Sequence, residues 1–142
     1  MDDAKKHGFE WDCIVMHDID LLIMHEGNFY KCMAPVRHMS VHLPTAGNYG
    51  FDKGNYDELV GGVLSMTPKT WKDINGYSCQ YWGWGGEDDD MYKRLVFAKK
   101  YHISRPKGRL GAYKMISHNP DNGNPVNEQR YYVLHESHKK LN

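Results

Sequence analysis

The chain is organised around a decapeptide at residues 81–90, Tyr81-Trp82-Gly83-Trp84-Gly85-Gly86-Glu87-Asp88-Asp89-Asp90. Glycines beside large aromatic side chains allow the backbone to take positive φ values and let the indoles change position. The four acids lead into an apolar-periodic segment at residues 91–97, so we predict that they form the first turn of a helix. Four adjacent carboxylates repel each other unless a ligand or cation uses some of them. The decapeptide therefore predicts a functional site, although a glycine-rich loop beside a helix N-terminus is the simpler interpretation of each part alone.

The overall composition excludes several classes of protein. A chain of 142 residues is the size of one domain. Lysine plus arginine equals aspartate plus glutamate at 18 each, so no net charge favours nucleic acid or an anionic membrane. No apolar run approaches the ~20 residues of a membrane span, and the first ten residues lack the apolar core of a secretory signal. The three cysteines fit no zinc spacing, and one disulfide plus a free thiol is as consistent with the count as three thiols.

Short apolar runs predict an α/β domain. Residues 13–16, Cys-Ile-Val-Met, are typical of a strand buried on both faces in a largely parallel sheet. The predicted strands lie within residues 11–16, 37–43, 59–66 and 101–104. Thr67 and Pro68 predict a helix start, and a last helix is predicted at residues 128–138. We predict frayed ends at residues 1–10 and a mobile loop at residues 119–127, which are rich in Asn, Pro and Gly.

Two groups of residues have the chemistry of metal ligands. Asp18 and Asp20 follow the first buried strand, and residues i and i+2 of an extended chain project to the same side. Carboxylate oxygens suit Mg²⁺ or Mn²⁺ carrying a diphosphate, whereas the simpler interpretation is an acidic turn. Met115 and His118 could converge on one cation. Taken alone, the pair is better explained as a core methionine beside a surface histidine, since a thioether is a soft ligand for a hard ion.

The acid run and its neighbours have the chemistry of a transfer site. A carboxylate crowded by like charges has a raised pKa and can act as a general base near neutral pH. Trp82 and Trp84 offer flat faces of the kind that stack on sugars or nucleobases, or they are core indoles. Arg130 and Tyr131 could line an acceptor pocket or cover the surface of the last helix.

Taken in order, these motifs resemble the C-terminal half of the catalytic domain of the beta-1,4-galactosyltransferases, over about residues 11–134. The matching motifs are residues 81–90, Trp11-Asp12-Cys13, His17-Asp18-Ile19-Asp20-Leu21-Leu22, Arg37-His38-Met39-Ser40-Val41, Gly61-Gly62-Val63, Asn75-Gly76-Tyr77, Arg94-Leu95-Val96-Phe97, Ile103-Ser104-Arg105-Pro106, Met115-Ile116-Ser117-His118, Asn124-Pro125 and Gln129-Arg130. The decapeptide is close to unique to this family, which makes the match specific.

The resemblance implies an α/β fold of the GT-A type, a mixed and mostly parallel sheet flanked by helices, with its N-terminal part missing. Residues 1–142 would be the C-terminal part of a single catalytic domain. The implied activity is metal-dependent, inverting transfer of galactose or N-acetylgalactosamine from a UDP-sugar to the 4-hydroxyl of an N-acetylglucosamine-type acceptor. An inactive fragment or degenerate paralogue that binds sugar or metal is the alternative, because the first half of the domain has no counterpart here.

The resemblance also implies a role for each site residue. Mn²⁺ would be held by Asp20, Met115 and His118. The nucleotide and donor would contact Asp18, Leu59, Gly62 and Trp84. Asp88 would be the base, with Glu87 and Asp89 holding the donor and acceptor sugars. The acceptor would meet Tyr56, Asp88, Asp89, Arg130, Tyr131 and Leu134. The Trp84 loop and residues 116–135 would close over the donor.

Two further expectations come from the same resemblance. Cys13 and Cys32 match a family disulfide, which favours an oxidising compartment, the Golgi lumen, with a membrane anchor expected upstream of this chain. Leu59 stands where the galactose-transferring members have a tyrosine. A smaller aliphatic residue there admits the 2-substituent of N-acetylgalactosamine, so we expect UDP-GalNAc to be used at least as well as UDP-Gal.

Overall fold

A computed structural model of the chain describes residues 6–43, 58–117 and 124–140. Within these three ranges, no helix has the length and apolar character needed to cross a bilayer. The strands are short: β1 (Ile14–His17), β2 (Leu21–Ile23), β3 (Val36–His38), β4 (Val63–Met66) and β5 (Tyr113–Met115). They form a three-stranded sheet in the order β1-β4-β3 and a two-stranded sheet of β2 and β5.

The central strand β4 lies in the predicted apolar run at residues 59–66, and all four of its residues are buried. β1 and β3 flank it, with Ile14 and Val36 both opposite Met66. A strand was predicted at residues 37–43. Only its first two residues belong to β3, which ends at His38. The strand predicted at residues 101–104 contributes a single bridge, between Ser104 and Arg37.

The prediction of mostly parallel pairing is wrong for the described strands. All three ladders, β1 with β4, β3 with β4 and β2 with β5, are antiparallel. Among the described residues, parallel pairing occurs in isolated bridges, such as Arg37 with Ser104 and His42 with Ala112. A short apolar run is compatible with a neighbour in either direction. The direction depends on the connections, which the run itself does not contain.

Two of the helices begin where the sequence predicts, and the last begins two residues after its predicted start at residue 128. Helix α1 (Pro68–Asp73) is capped by Thr67, whose side-chain oxygen accepts from the backbone N–H of Thr70 at 3.3 Å. Helix α2 (Glu87–Lys93) starts with the acid run and continues into a π-helical turn (Arg94–Ala98). A 3-10 turn (Gly108–Gly111) precedes β5, and the last helix is α3 (Arg130–Lys139).

Two hydrophobic clusters hold these elements together. The larger one joins the sheet to α1, α2 and the π-helical turn; its buried members are Val36, Val60, Leu64, Met66, Ile74, Met91, Leu95 and Ile103. The smaller one lies where the two sheets meet; its buried members are Leu21, Met39, Val63 and Tyr113. The side chains of β4 contribute to both clusters. The edge where β1 ends and β4 begins is therefore fixed against α2 on one side and β2 on the other.

A disulfide joins Cys13 and Cys32, as the family resemblance implied, and closes a loop with a sequence separation of 19. The third cysteine, Cys79, is exposed and carries a free thiol. The bond ties the residue before β1 to the loop that leads into β3. It therefore anchors the strand that leads into Asp18.

Candidate active site

A cavity of about 750 Å³ lies where the end of β1, residues 59–62 and the N-termini of α2 and α3 meet. It contains most of the residues that the sequence predicted for the site: Asp18, Leu59, Gly62, Trp84, Glu87, Asp88, Asp89, Met115, Arg130 and Tyr131. Two predicted residues, Asp20 and Leu134, are described but do not line it. Two others, Tyr56 and His118, lie outside the described residues.

The glycines of residues 81–90 are required by the backbone. The backbone φ angles are 82° at Gly83, 104° at Gly85 and 97° at Gly86, values that residues other than glycine rarely adopt. A Cβ on Gly86 would lie 2.9 Å from the Tyr81 ring, and one on Gly85 would lie 2.9 Å from Cδ of Arg130. The tight loop therefore brings the start of α3 next to the start of α2.

The Trp84 loop is joined to the segment before α3. The Trp84 N–H donates to the Pro125 carbonyl at 2.9 Å, and the Asn127 N–H donates to the Trp84 carbonyl at 3.0 Å. The indole lines the cavity and is 50% exposed. The two segments that the resemblance expects to close over the donor are thus hydrogen-bonded to each other, so a movement of one would carry the other.

The four acids of α2 divide into two groups. Glu87, Asp88 and Asp89 line the cavity. Asp90 is 1% exposed and is a structural residue: it accepts a hydrogen bond from Nε of Arg94 at 2.8 Å and one from the Ser137 hydroxyl at 2.6 Å. Asp90 therefore joins α2 to α3 and leaves three carboxylates for a ligand.

Asp88 has the protonation behaviour expected of a base. Burial first, and then the carboxylates of Asp89 and Glu87, raise the pKa of Asp88 to about 6. Its Oδ1 accepts the Asp89 N–H at 2.9 Å. Its Oδ2 lies so close to Gly61 that a Cβ there would be 2.9 Å away. A carboxylate with a pKa near neutrality can accept a proton at physiological pH and hold it more firmly than an ordinary one.

Glu87 is the second polar group available to a ligand in this part of the cavity. Its Oε2 atom is buried and has no hydrogen-bond partner among the described residues. A buried carboxylate oxygen without a partner is costly, so such atoms occur where a ligand or water completes the bonding. The position of Glu87, next to Asp88 and facing the cavity, fits a hydrogen bond to a sugar hydroxyl.

The β2–β5 ladder brings two of the predicted metal ligands near each other. Leu21 pairs with Met115, and the Ile116 N–H donates to the carbonyl of Asp20, the residue before β2, at 2.7 Å. Burial first, and then the Asp20 carboxylate, raise the pKa of Asp18. The two neighbouring carboxylates suit a divalent cation that binds a diphosphate, whereas the Met115 thioether is a softer ligand. Within the described ranges, no group of three or more His, Cys, Asp or Glu is arranged to hold a metal ion, and the predicted ligand His118 lies outside them.

Arg130 and Tyr131, at the start of α3, form another wall of the cavity. The Arg130 guanidinium lies over the Tyr131 ring at 4.6 Å and donates to the Asn127 carbonyl at 3.0 Å. Tyr131 is 68% exposed, so its ring is accessible to a ligand. Leu134 lies one helical turn further along α3 than Arg130 and does not reach the cavity of this structure.

Three polar residues that line the cavity were not predicted as site residues: His17, Ser40 and Tyr77. Nε2 of His17 forms a hydrogen bond with the Tyr30 hydroxyl at 2.8 Å. Burial, and then the acids of the cavity, raise the pKa of Tyr77 to about 12, so its hydroxyl keeps its proton. The adjacency of His17 to Asp18 was a usable signal. Ser40 and Tyr77 belong to motifs that match the family, but their place in the cavity depends on tertiary packing.

The described part of the chain is an α/β domain in which carboxylates after β1, a tryptophan loop and an acidic helix start lie close together. Residues 37–119 match the family model described as the N-terminal domain of galactosyltransferase. The chain is 39% identical to human beta-1,4-galactosyltransferase 4 over 126 residues, 89% of this chain and 35% of that protein. It is 44% identical to Danio rerio beta-1,4-galactosyltransferase 5 over 108 residues, 76% of this chain and 27% of that protein.

Solved structures give the same result. A Drosophila beta-1,4-galactosyltransferase 7 mutant in complex with manganese, UDP-Gal and xylobiose matches with a TM-score of 0.64 at 28% identity, over 87% of this chain and 52% of that one. The fold is of the GT-A type, as predicted. The chain belongs to the galactosyltransferase family. It spans about a third of the length of these curated relatives and about half of the solved chain.

Proposed function

We propose that the chain is the part of a metal-dependent, inverting glycosyltransferase that holds the base, the metal ligands and the acceptor. The observation that carries the proposal is Asp88, a carboxylate at the start of α2 with a pKa of about 6, facing the same cavity as Asp18. The donor is a UDP-sugar and the acceptor is a sugar hydroxyl. The Drosophila relative binds manganese, UDP-Gal and xylobiose, which supports both substrate classes.

The reaction follows from the positions of these carboxylates. Asp88 accepts the proton of the acceptor hydroxyl while that oxygen forms a bond to the anomeric carbon of the donor. The bond between the anomeric carbon and the diphosphate oxygen breaks on the opposite face, and the electron pair leaves with UDP. Attack from the side opposite the leaving group inverts the configuration. Holding both substrates in one cavity lowers the entropic part of the barrier.

Mn²⁺, held by Asp20, Met115 and His118, would neutralise charge on the departing diphosphate when bound. Asp18 contacts the nucleotide, and Glu87 uses its unpartnered Oε2 to orient the donor sugar. Trp84 covers the donor, and its hydrogen bonds to residues 125–127 make the cover a single unit with the segment before α3.

The donor sugar is set by Leu59, which lines the cavity beside Gly62. A leucine is smaller than a tyrosine and leaves room for an N-acetyl group at the donor's 2-position. We therefore propose that UDP-GalNAc is accepted at least as well as UDP-Gal. Competition between the two donors tests this, with Leu59→Tyr as the matched variant. A tenfold preference for UDP-Gal that Leu59→Tyr leaves unchanged would refute it.

The acceptor is the 4-hydroxyl of an N-acetylglucosamine-type sugar. Arg130 and Tyr131 offer a cation and an accessible aromatic ring for its N-acetyl group. The family resemblance also assigns Tyr56 and Leu134 to the acceptor, although Leu134 does not line the cavity of this structure. Asp89 holds the acceptor hydroxyls next to Asp88. We place the protein in the Golgi lumen, because the Cys13–Cys32 disulfide requires an oxidising compartment.

The alternative function is a non-catalytic module that binds sugar or metal. The Arg130 guanidinium and the accessible Tyr131 ring would serve sugar binding with or without transfer. Turnover of UDP-Gal and UDP-GalNAc separates the two. It is measured with Mn²⁺ and with a chelator, on this chain and on a version lengthened to match the relatives. Metal-dependent transfer supports the enzyme. Sugar or metal binding without transfer by the lengthened protein contradicts it and supports the module.

A further inference from the structure

A buried polar cluster holds the backbone of residues 59–62, which form one wall of the cavity. It consists of His38 at the end of β3, Ser40 two residues later, and Arg105. His38 and Ser40 are 0% and 2% exposed. The Arg105 guanidinium donates to the Leu59 carbonyl at 3.1 Å. Buried polar side chains that form hydrogen bonds to a loop fix the position of that loop.

The contacts of the cluster converge on one peptide group. The Gly61 carbonyl accepts from Nε2 of His38 at 2.9 Å and from the Ser40 hydroxyl at 3.3 Å. Because a carbonyl oxygen can only accept, Nε2 of His38 carries the proton. The Ser40 oxygen also accepts the Val63 N–H at 2.8 Å. Ser40 therefore bonds both sides of the glycine pair, and its oxygen is used as donor and acceptor at once.

The glycine pair fits tightly between this cluster and the proposed base. Gly62 has a φ of +79°, and a Cβ there would lie 2.5 Å from the Ser40 oxygen. On the other side, a Cβ on Gly61 would lie 2.9 Å from Oδ2 of Asp88. The Gly62 carbonyl also accepts the Asp18 N–H at 3.0 Å. A displacement of this pair would change the surroundings of both carboxylates.

We propose that Ser40 and His38 are positioning residues, which hold Gly61 against the Asp88 carboxylate and so keep water from that base. The proposal rests on the proposed function in so far as it takes Asp88 to be the base. The packing of Gly61 against Asp88 does not depend on that assignment. The two ideas can therefore fail separately.

The physical reason is that burial is the largest cause of the raised pKa of Asp88. Loss of the bonds to Gly61 would let residues 59–62 relax and admit water to the carboxylate, and a better solvated carboxylate has a lower pKa. The other ionisable groups that line the cavity lie on four segments: Glu87 and Asp89 on α2, His17 and Asp18 at the end of β1, Tyr77 before α2, and Arg130 and Tyr131 on α3. The substitutions proposed below alter none of these groups.

The test uses three substitutions in the full chain. Ser40→Ala removes both bonds of the hydroxyl. His38→Leu removes the donor to Gly61, whereas His38→Gln keeps an N–H donor and serves as the conservative control. Each variant is labelled with ¹³C at the aspartate carboxyls, and the Asp88 resonance is assigned by its loss in Asp88→Asn. Titration of that resonance gives the pKa without any need for turnover.

We expect the pKa of Asp88 to fall from about 6 towards its ordinary value of 3.8 in Ser40→Ala and His38→Leu, and to be retained in His38→Gln. If Ser40→Ala does not fold, the comparison of His38→Leu with His38→Gln tests the proposal. An unchanged pKa in the folded Ser40→Ala and His38→Leu variants overturns the proposal, even if both are less stable.

Turnover gives a second readout where the chain is active. We expect kcat to fall about tenfold or more in Ser40→Ala, and its acid limb to move with the pKa of Asp88, because small displacements in an active site have large effects on rate. A lowered kcat with an acid limb that stays at the wild-type pH would indicate general destabilisation and contradict the positioning role. Absence of turnover in every form of the protein would refute the proposed function but leave the titration result standing.

Discussion

Replacing Asp88 by asparagine should remove transfer activity and, at neutral pH, stabilise the fold. The folded chain keeps the Asp88 proton up to about pH 6, while the unfolded chain releases it near 3.8. Between these values the folded state binds more protons, so the free energy of unfolding falls as pH rises. Above about pH 6 the fold carries the full cost of a buried, crowded carboxylate. Asparagine retains an oxygen that can accept the Asp89 N–H and has no charge.

The size of the effect follows from the two pKa values. The interval between 3.8 and about 6 corresponds to roughly 3 kcal/mol, at about 1.36 kcal/mol for each unit. Solvent on the open side of the cavity screens part of this, so we expect Asp88→Asn to gain about 2 kcal/mol at pH 7. The gain should shrink through the window from pH 6 to pH 4 and vanish below it.

The assay is urea unfolding of the wild type and of Asp88→Asn, without metal or substrate, at intervals from pH 4 to pH 8. The difference between the two proteins is the informative quantity, because His38 titrates over the same range with the opposite sign and cancels in it. Asp73→Asn is the control. Lys69 first, and then Tyr101, lower the pKa of Asp73, so its replacement should destabilise the fold at pH 7. A constant difference between the wild type and Asp88→Asn across the whole range would refute the reasoning.

Three further predictions concern the support of the site. Burial first, and then Arg105, lower the pKa of His38 from 6.5 to about 4, so the free energy of unfolding falls as pH falls from 6.5 towards 4. In urea unfolding, His38→Gln should remove roughly 3 kcal/mol of this acid-side loss of stability. The same dependence of stability on pH in the wild type and in His38→Gln would contradict this. Gly86→Ala should cost about 1–3 kcal/mol, because φ is +97° and the Cβ would meet Tyr81; a wild-type midpoint of thermal unfolding would show otherwise. Reduction of the Cys13–Cys32 bond should cost about 3 kcal/mol, measured by unfolding with and without reductant, with the Cys79→Ser variant responding in the same way.

The features that could be predicted from the sequence are those with a local physical cause. Thr67 and Pro68 fixed the start of α1 through capping. The acid run fixed the start of α2, and the glycines before it have the positive φ values that their spacing indicated. The decapeptide also located the cavity, because its own backbone forms one wall.

The features that could not be predicted depend on distant parts of the chain. The direction of strand pairing was wrong because an apolar run specifies burial and not the orientation of its neighbour. The inward position of Asp90 depends on Arg94 and on Ser137, which lies 47 residues away. Ser40 belongs to the cavity only because residues 59–62 fold over it. Leu134 was placed in the acceptor pocket by resemblance, and here it does not line the cavity.

The most direct test of Asp88 as the base is the pH profile of kcat/KM. It is measured for transfer from UDP-Gal to an N-acetylglucosamine acceptor with Mn²⁺ present, for the wild type and for Asp88→Asn, on this chain and on the lengthened version. We predict an acid limb near pH 6 in the wild type. In Asp88→Asn we predict a loss of about 10²-fold or more, with binding of UDP retained. Transfer by Asp88→Asn at a rate close to that of the wild type would contradict the assignment.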